Sequence, residues 1–191
     1  MSAADTLATI VLAAGSGTRY GGAKQLALVD GVPLVRRAAE LAHALCPGRV
    51  VLVTGAYAAA VAATVADLPV GITHNPHWDR GLAGSLHCGL DAVAADTAAC
   101  LVLLADQSAV TGADLQSLAS AWRAAPAIPA AAEYGGGLGV PAIFPRRDWP
   151  ALRALTGDRG ARALLAALPL VTPVPMPHAL VDIDTPADLG R

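Results

Sequence analysis

Leu7-Ala8-Thr9-Ile10-Val11-Leu12-Ala13, running directly into Ala14-Gly15-Ser16-Gly17-Thr18-Arg19-Tyr20-Gly21-Gly22-Ala23-Lys24-Gln25, is the stretch that decides how the chain folds. The first seven residues form an apolar run rich in branched side chains, the pattern of a strand buried inside a parallel sheet. The connection that follows is well beyond the roughly 2 to 6 residues usual between a strand and a helix. Ordered loops of this length at strand ends usually bind something. Its glycines let the backbone take positive φ and approach a ligand closely, so that successive N–H groups converge on phosphate oxygens. Arg19 and Lys24 add full positive charges.

The same kind of run recurs at Val50 to Thr54, Val70 to Thr73 and Cys100 to Ala105. Between the runs lie Pro33 to Leu45, Tyr57 to Ala66, Leu82 to Val93 and Ala113 to Ala124, each long enough for a helix and rich in alanine and leucine. This alternation predicts an α/β fold: one domain over residues 1–191, a mostly parallel Rossmann-like sheet with helices on both faces, and ligands at the carboxyl ends of the strands. The C-terminal third is less regular. Strands are expected there near Ala127 to Ala131, Ala142 to Phe144, Val171 to Val174 and Leu180 to Ile183, with Gly135-Gly136-Gly137, Gly139 and Pro141 as a flexible turn before a strand.

At 191 residues the chain is long enough to bury one substantial core. Hydrophobic residues make up 54% but aromatics only 4%, and no apolar run approaches the ~18 to 20 residues of a membrane span. The net charge of −2 comes from scattered acids and bases, so the footprint of a nucleic-acid binder is missing and a small-molecule substrate is expected. Three cysteines without a C-x-x-C pair, and no basic residue before the first apolar run, fit a reducing cytoplasm.

Two better-known phosphate loops are excluded by spacing. A Rossmann fingerprint needs glycine where Tyr20 stands, and Val53-Thr54-Gly55 lacks the acid that would hold a ribose. A Walker loop needs Gly-Lys-Ser/Thr where this chain has Ala23-Lys24-Gln25. The loop also holds the chain's only lysine: of 13 basic residues the other 12 are arginine. A compact ammonium on a flexible stem suits charge that develops on a transferring phosphoryl group.

Five ordered segments resemble the molybdenum cofactor cytidylyltransferases. They are Leu12 to Arg19 with Lys24-Gln25-Leu26; Asn75-Pro76-His77-Trp78 leading to Gly81 and Ser85-Leu86; Asp106-Gln107; Gly157-Asp158-Arg159-Gly160-Ala161-Arg162; and Asp182-Ile183-Asp184-Thr185-Pro186. The resemblance implies a nucleotide-diphospho-sugar transferase-like fold and Mg²⁺-dependent transfer of CMP from CTP to the phosphate of molybdopterin. It implies nucleotide binding by Ala13, Ala14, Gly15, Ser16, Gly17, Arg19, Lys24 and Ser85, with Lys24, Arg19 and Asp106 in the chemistry. The product would pass to a molybdoenzyme or its chaperone. Ala14-Gly15, where guanylyl relatives carry Gly-Gly, favours the cytidylyl branch. Ser108 in place of a proline, and His87 in place of an arginine, depart from the family pattern. GTP-dependent guanylylation, a sugar or polyol phosphate acceptor, and a non-catalytic carrier are the alternatives.

Asp106 follows an apolar strand and should emerge at the carboxyl edge beside the first loop, a suitable place for a Mg²⁺ ligand. Asp182 and Asp184 are its expected partners, two apart and on one face of an expected strand. From the residues alone Asp184 reads as the N-cap of a last helix; the resemblance makes it a metal ligand. Ser85 lies at the edge of a helical stripe made by Leu82, Leu86, Leu90 and Val93, as a nucleotide contact or a packing residue. His87 and Asp91, four apart on the opposite side, read as a solvated pair. Asp158 reads as a helix cap or as part of the acceptor site. His74, His77 and Cys88 match no zinc spacing.

Overall fold

The computed structural model describes residues 6–181 together with Thr185 and Asp188. Strand β1 (Leu7–Ala13) is buried at every position. Its pleat sends successive side chains to opposite faces. Leu7, Val11 and Ala13 enter one core cluster, while Ala8, Ile10 and Leu12 enter another. A strand with two apolar faces needs a layer of helices on each side, and both are present.

The elements follow as β2 (Leu28–Val29), β3 (Val32–Pro33), α1 (Leu34–Leu45), β4 (Val50–Thr54), α2 (Ala58–Thr64), β5 (Gly71–His74), α3 (Leu82–Ala92), β6 (Ala99–Leu104) and α4 (Gly112–Ala124). After them come β7 (Ala130–Tyr134), β8 (Gly137–Pro145), α5 (Trp149–Arg153), α6 (Ala161–Leu165) and β9 (Thr172–Pro175). The seven-stranded sheet runs β5-β4-β1-β6-β8-β7-β9. Parallel pairing joins β5, β4, β1 and β6, while β8 is antiparallel to both β6 and β7. Strand β9 is parallel to β7. Helices α1, α2 and α4 cover one face through Val35, Val61 and Leu118. Helices α3, α5 and α6 cover the other through Leu86, Leu152 and Leu164. The α/β fold with a mostly parallel central sheet is the one expected.

The differences lie mainly in the C-terminal third. The strand expected at Ala127 to Ala131 is shifted to β7, because Ala127 and Ile128 belong to the turn leaving α4. The expected strand Ala142 to Phe144 lies in the second half of the longer β8. Where a strand was expected from Leu180 to Ile183, Pro177–Leu180 form a 3₁₀ turn and Val181 has no regular structure. Asp182 and Ile183 lie outside the described residues, as does Asp184. Asp158 does not cap a helix: Gly160 occupies the N-cap of α6, with no side-chain bond.

Candidate functional site

Strands β1, β4, β5 and β6 all deliver their carboxyl ends to one edge of the sheet, and a cavity of about 560 Å³ opens there. Ala13, Ala14, Gly15, Ser16, Gly17, Arg19, Lys24, Ser85 and Asp106 all border it. Ten residues of turn therefore bring the loop back over the strand that launched it. Gly17 makes the reversal: its φ is +63°, and its carbonyl accepts from the N–H groups of Gly21 and Gly22. A Cβ at this position would overlap the Gly22 carbonyl oxygen, so no other residue fits without rearrangement.

The loop closes in a 3₁₀ turn, Lys24–Leu26. From there Lys24 Nζ lies 2.6 Å from Asp106 Oδ2, across the gap between the ends of β1 and β6. Their side chains are 17% and 24% exposed, so the pair is screened from bulk water without being sealed off. The second carboxylate oxygen, Asp106 Oδ1, is buried and has no hydrogen-bond partner. A hard cation fits an orphaned carboxylate oxygen of this kind. Among the described residues no three His, Cys, Asp or Glu side chains gather into a metal cluster, so His74, His77 and Cys88 do not form one.

The opposite wall depends on Asn75, which the sequence presented as part of a family-like segment without a role of its own. Asn75 is 2% exposed, its Oδ1 accepts the His77 N–H at 2.9 Å, and its Nδ2 donates to Ser85 Oγ at 3.0 Å. Ser85 is thereby fixed in the first turn of α3, itself 3% exposed but bordering the cavity. Gly81, just before α3, has a φ of +108°, and a Cβ there would collide with the backbone of Gly157. The Ala83 N–H donates to the Gly157 carbonyl at 3.0 Å. This seam carries Asp158 to the cavity beside Trp78, Asp79 and Leu82; these three, and Tyr20 from the glycine loop, border it without having been named as site residues from the sequence. Trp78 and Asp79 continue the buried Asn75 turn, the local signal that could have found them.

His87 and Asp91 do not pair with each other. His87 Nε2 lies 3.2 Å from the Leu152 carbonyl, and Asp91 pairs with Arg153, so both engage α5 on the far side of α3 from the loop. Burial pushes up the thiols of Cys46, Cys88 and Cys100, which keeps them protonated and unsuited to nucleophilic attack at neutral pH.

The parallel strand edge, the glycine loop and the lysine–aspartate pair together define a nucleotide-handling α/β transferase fold. The sequence profile of the MobA-like NTP transferase domain matches residues 9–172, and the chain belongs to this family of nucleotidyltransferases. No curated protein matches the chain. Among solved structures it is similar to Rv0371c from Mycobacterium tuberculosis H37Rv, with 27% identity and a TM-score of 0.85 over 97% of this chain and 96% of that one. It is also similar to the manganese complex of that protein, with 25% identity and a TM-score of 0.81 over 97% of each chain. A nucleotidyl transferase from Methanothermobacter thermautotroptrophicus, Mth528, shares the fold, with 22% identity and a TM-score of 0.79 over 96% and 94%.

Proposed function

We propose that the chain, acting as one domain over residues 1–191, transfers CMP from CTP to the phosphate of a molybdopterin-type cofactor. The observation that carries the transfer reaction is the Lys24–Asp106 pair set beside the glycine loop at the mouth of the cavity. The cytidylyl donor and molybdopterin acceptor rest on the five sequence segments.

The amides of Gly15, Ser16 and Gly17, with Lys24 and Arg19, hold and neutralise the triphosphate, and Ser85 contacts the nucleoside. An oxygen of the acceptor phosphate attacks the α-phosphorus. The bond from that phosphorus to the bridging oxygen of the β-phosphate breaks, and pyrophosphate leaves with the electron pair. A phosphate monoester is already ionised at neutral pH, so alignment and charge stabilisation matter more than a general base. Asp106, through its unpartnered Oδ1, is the proposed Mg²⁺ ligand, with Asp182 and Asp184 as further ligands outside the described residues. When bound, the ion supplies Lewis-acid polarisation of the phosphates. The manganese bound by Rv0371c supports a divalent ion here.

The reaction is proposed to run in the cytoplasm, the product passing to a molybdoenzyme or its chaperone. No helix among the described residues is long and apolar enough to cross a membrane. Pyrophosphate release, followed with CTP or GTP in the presence and absence of Mg²⁺ and molybdopterin, tests the reading. Release should require CTP, the metal and the acceptor together. Equal turnover with GTP would move the protein to the guanylyl branch. Turnover only with a sugar or polyol phosphate would replace the acceptor, and binding without single-turnover chemistry would leave a carrier.

A further inference from the structure

Where a parallel strand runs out into a loop, its last carbonyls leave the ladder and need partners if they are not to face an anion bound beyond the strand end. Here four successive carbonyls are occupied. Leu12 accepts from the Ala105 N–H at 3.1 Å, and Ala14 from the Ala56 N–H at 3.1 Å. Ala13 and Gly15 both accept from one side-chain nitrogen, Gln25 Nε2, the first at 3.0 Å. Among the described residues, the N–H groups of Gly15, Ser16 and Gly17 donate to no protein acceptor. The loop is thus sorted, with its early carbonyls bound into the protein and its next three amides left for a ligand.

Gln25 is 6% exposed and sits in the turn that also presents Lys24. Two carbonyl oxygens converge on one end of its amide, which requires the NH₂ group there, since an oxygen would face two like dipoles. Its own Oε1 is buried without a partner. Both hydrogen bonds of this side chain are therefore made to the phosphate loop.

We propose that Gln25 is the positioning residue of this loop: by binding the carbonyls of Ala13 and Gly15, it leaves the amides of Gly15, Ser16 and Gly17 facing the triphosphate. The inference rests on the nucleotidyl-transfer reading and adds a residue that touches no reacting atom. It also explains why glutamine, with two donors on one atom, follows the lysine. A methionine of similar size supplies neither donor, and a glutamate adds negative charge against two carbonyl oxygens.

Calorimetric titration of the full chain with inorganic tripolyphosphate, CTP and GTP in the presence of Mg²⁺ tests this. Gln25→Met should keep a cooperative unfolding transition and lose about tenfold or more in tripolyphosphate affinity, the equivalent of one or two hydrogen bonds. Gln25→Glu should lose more, and its affinity relative to the wild type should recover as pH falls from 8 towards 4, where a protonated carboxyl regains one donor. Ala56→Pro, which removes the donor to the Ala14 carbonyl from another element, should weaken tripolyphosphate in the same way. Tripolyphosphate affinity within twofold of the wild type in folded Gln25→Met, or in folded Ala56→Pro, would overturn the proposal. A wild-type chain that binds neither tripolyphosphate nor any nucleoside triphosphate would overturn the functional reading itself.

Discussion

Residues 7–124 and residues 130–181 build the two sides of one sheet by opposite rules. In the first region a helix lies between each strand of the main sheet and the next and returns the chain to its starting edge, so β1, β4, β5 and β6 all end on the same side. The glycine loop, Gly55, Asn75 and Asp106 accumulate there as a direct result. In the second region β8 runs against β6, with Val102 opposite Ala142. Its earlier residues, and the Gly135–Gly136 turn that joins it to β7, therefore extend past the edge where the parallel strands stop. One region supplies most of the cavity lining and its charges; from the other, among the described residues, Asp158 reaches it.

Removing the charge on the first region should have the largest effect. Lys24→Ala is expected to lower the rate of pyrophosphate release by about a hundredfold or more, with little change in thermal unfolding. The seam between the regions comes next. Gly81→Ala forces a side chain into the Gly157 backbone from a φ of +108°, and denaturant titration should show a loss of about 1 to 3 kcal/mol. Within the second region, Tyr134 donates its hydroxyl to the Val140 carbonyl at 2.9 Å, so Tyr134→Phe should cost about 1 kcal/mol in the same titration and leave nucleotide affinity unchanged.

The smallest effect concerns a tie between the regions. His178, in the C-terminal 3₁₀ turn, reaches Asp114 in the first turn of α4 at 2.7 Å. Burial alone would raise the Asp114 carboxyl, but hydrogen bonds from Thr111 and His178 outweigh it and hold the group below its ordinary value. A carboxyl lowered on folding stabilises the native state above its unfolded pKa, and the contribution disappears as pH falls through the folded value. Wild type and His178→Ala should therefore differ modestly in unfolding midpoint at pH 7, and the difference should begin to shrink as pH falls below about 4. A difference that did not shrink at all as pH fell below about 4 would rule out Asp114 as its source.

The first region was legible because its signals are physical repeats. The runs Leu7 to Ala13 and Val50 to Thr54 match β1 and β4 end to end, since only a strand buried on both faces tolerates such an unbroken apolar pattern. The second region withheld its boundaries. Strand β8 passes through Gly137, Gly139 and Pro141, residues that read as turn, yet Gly139 is required because a Cβ there would strike the Tyr134 ring. Helices α5 and α6 are five residues each, too short to show a period. In the site, charged and glycine positions were visible in the sequence. Gln25, Asn75 and Gln107 stood in the family-like segments, but the work of their buried amides was not legible, because it lies in carbonyls and hydroxyls distant in sequence, such as the Val140 and Ala179 carbonyls bound by Gln107.

Lys24 carries the only ε-amine in the chain, and that amine borders the cavity. Any aldehyde that forms a reducible imine with primary amines meets one side chain in this protein, apart from the α-amino group. The proposed nucleotide pocket is thus addressable by ordinary amine chemistry without engineering, one adduct per site, and occupancy of the pocket becomes something that can be read as protection of a single mass.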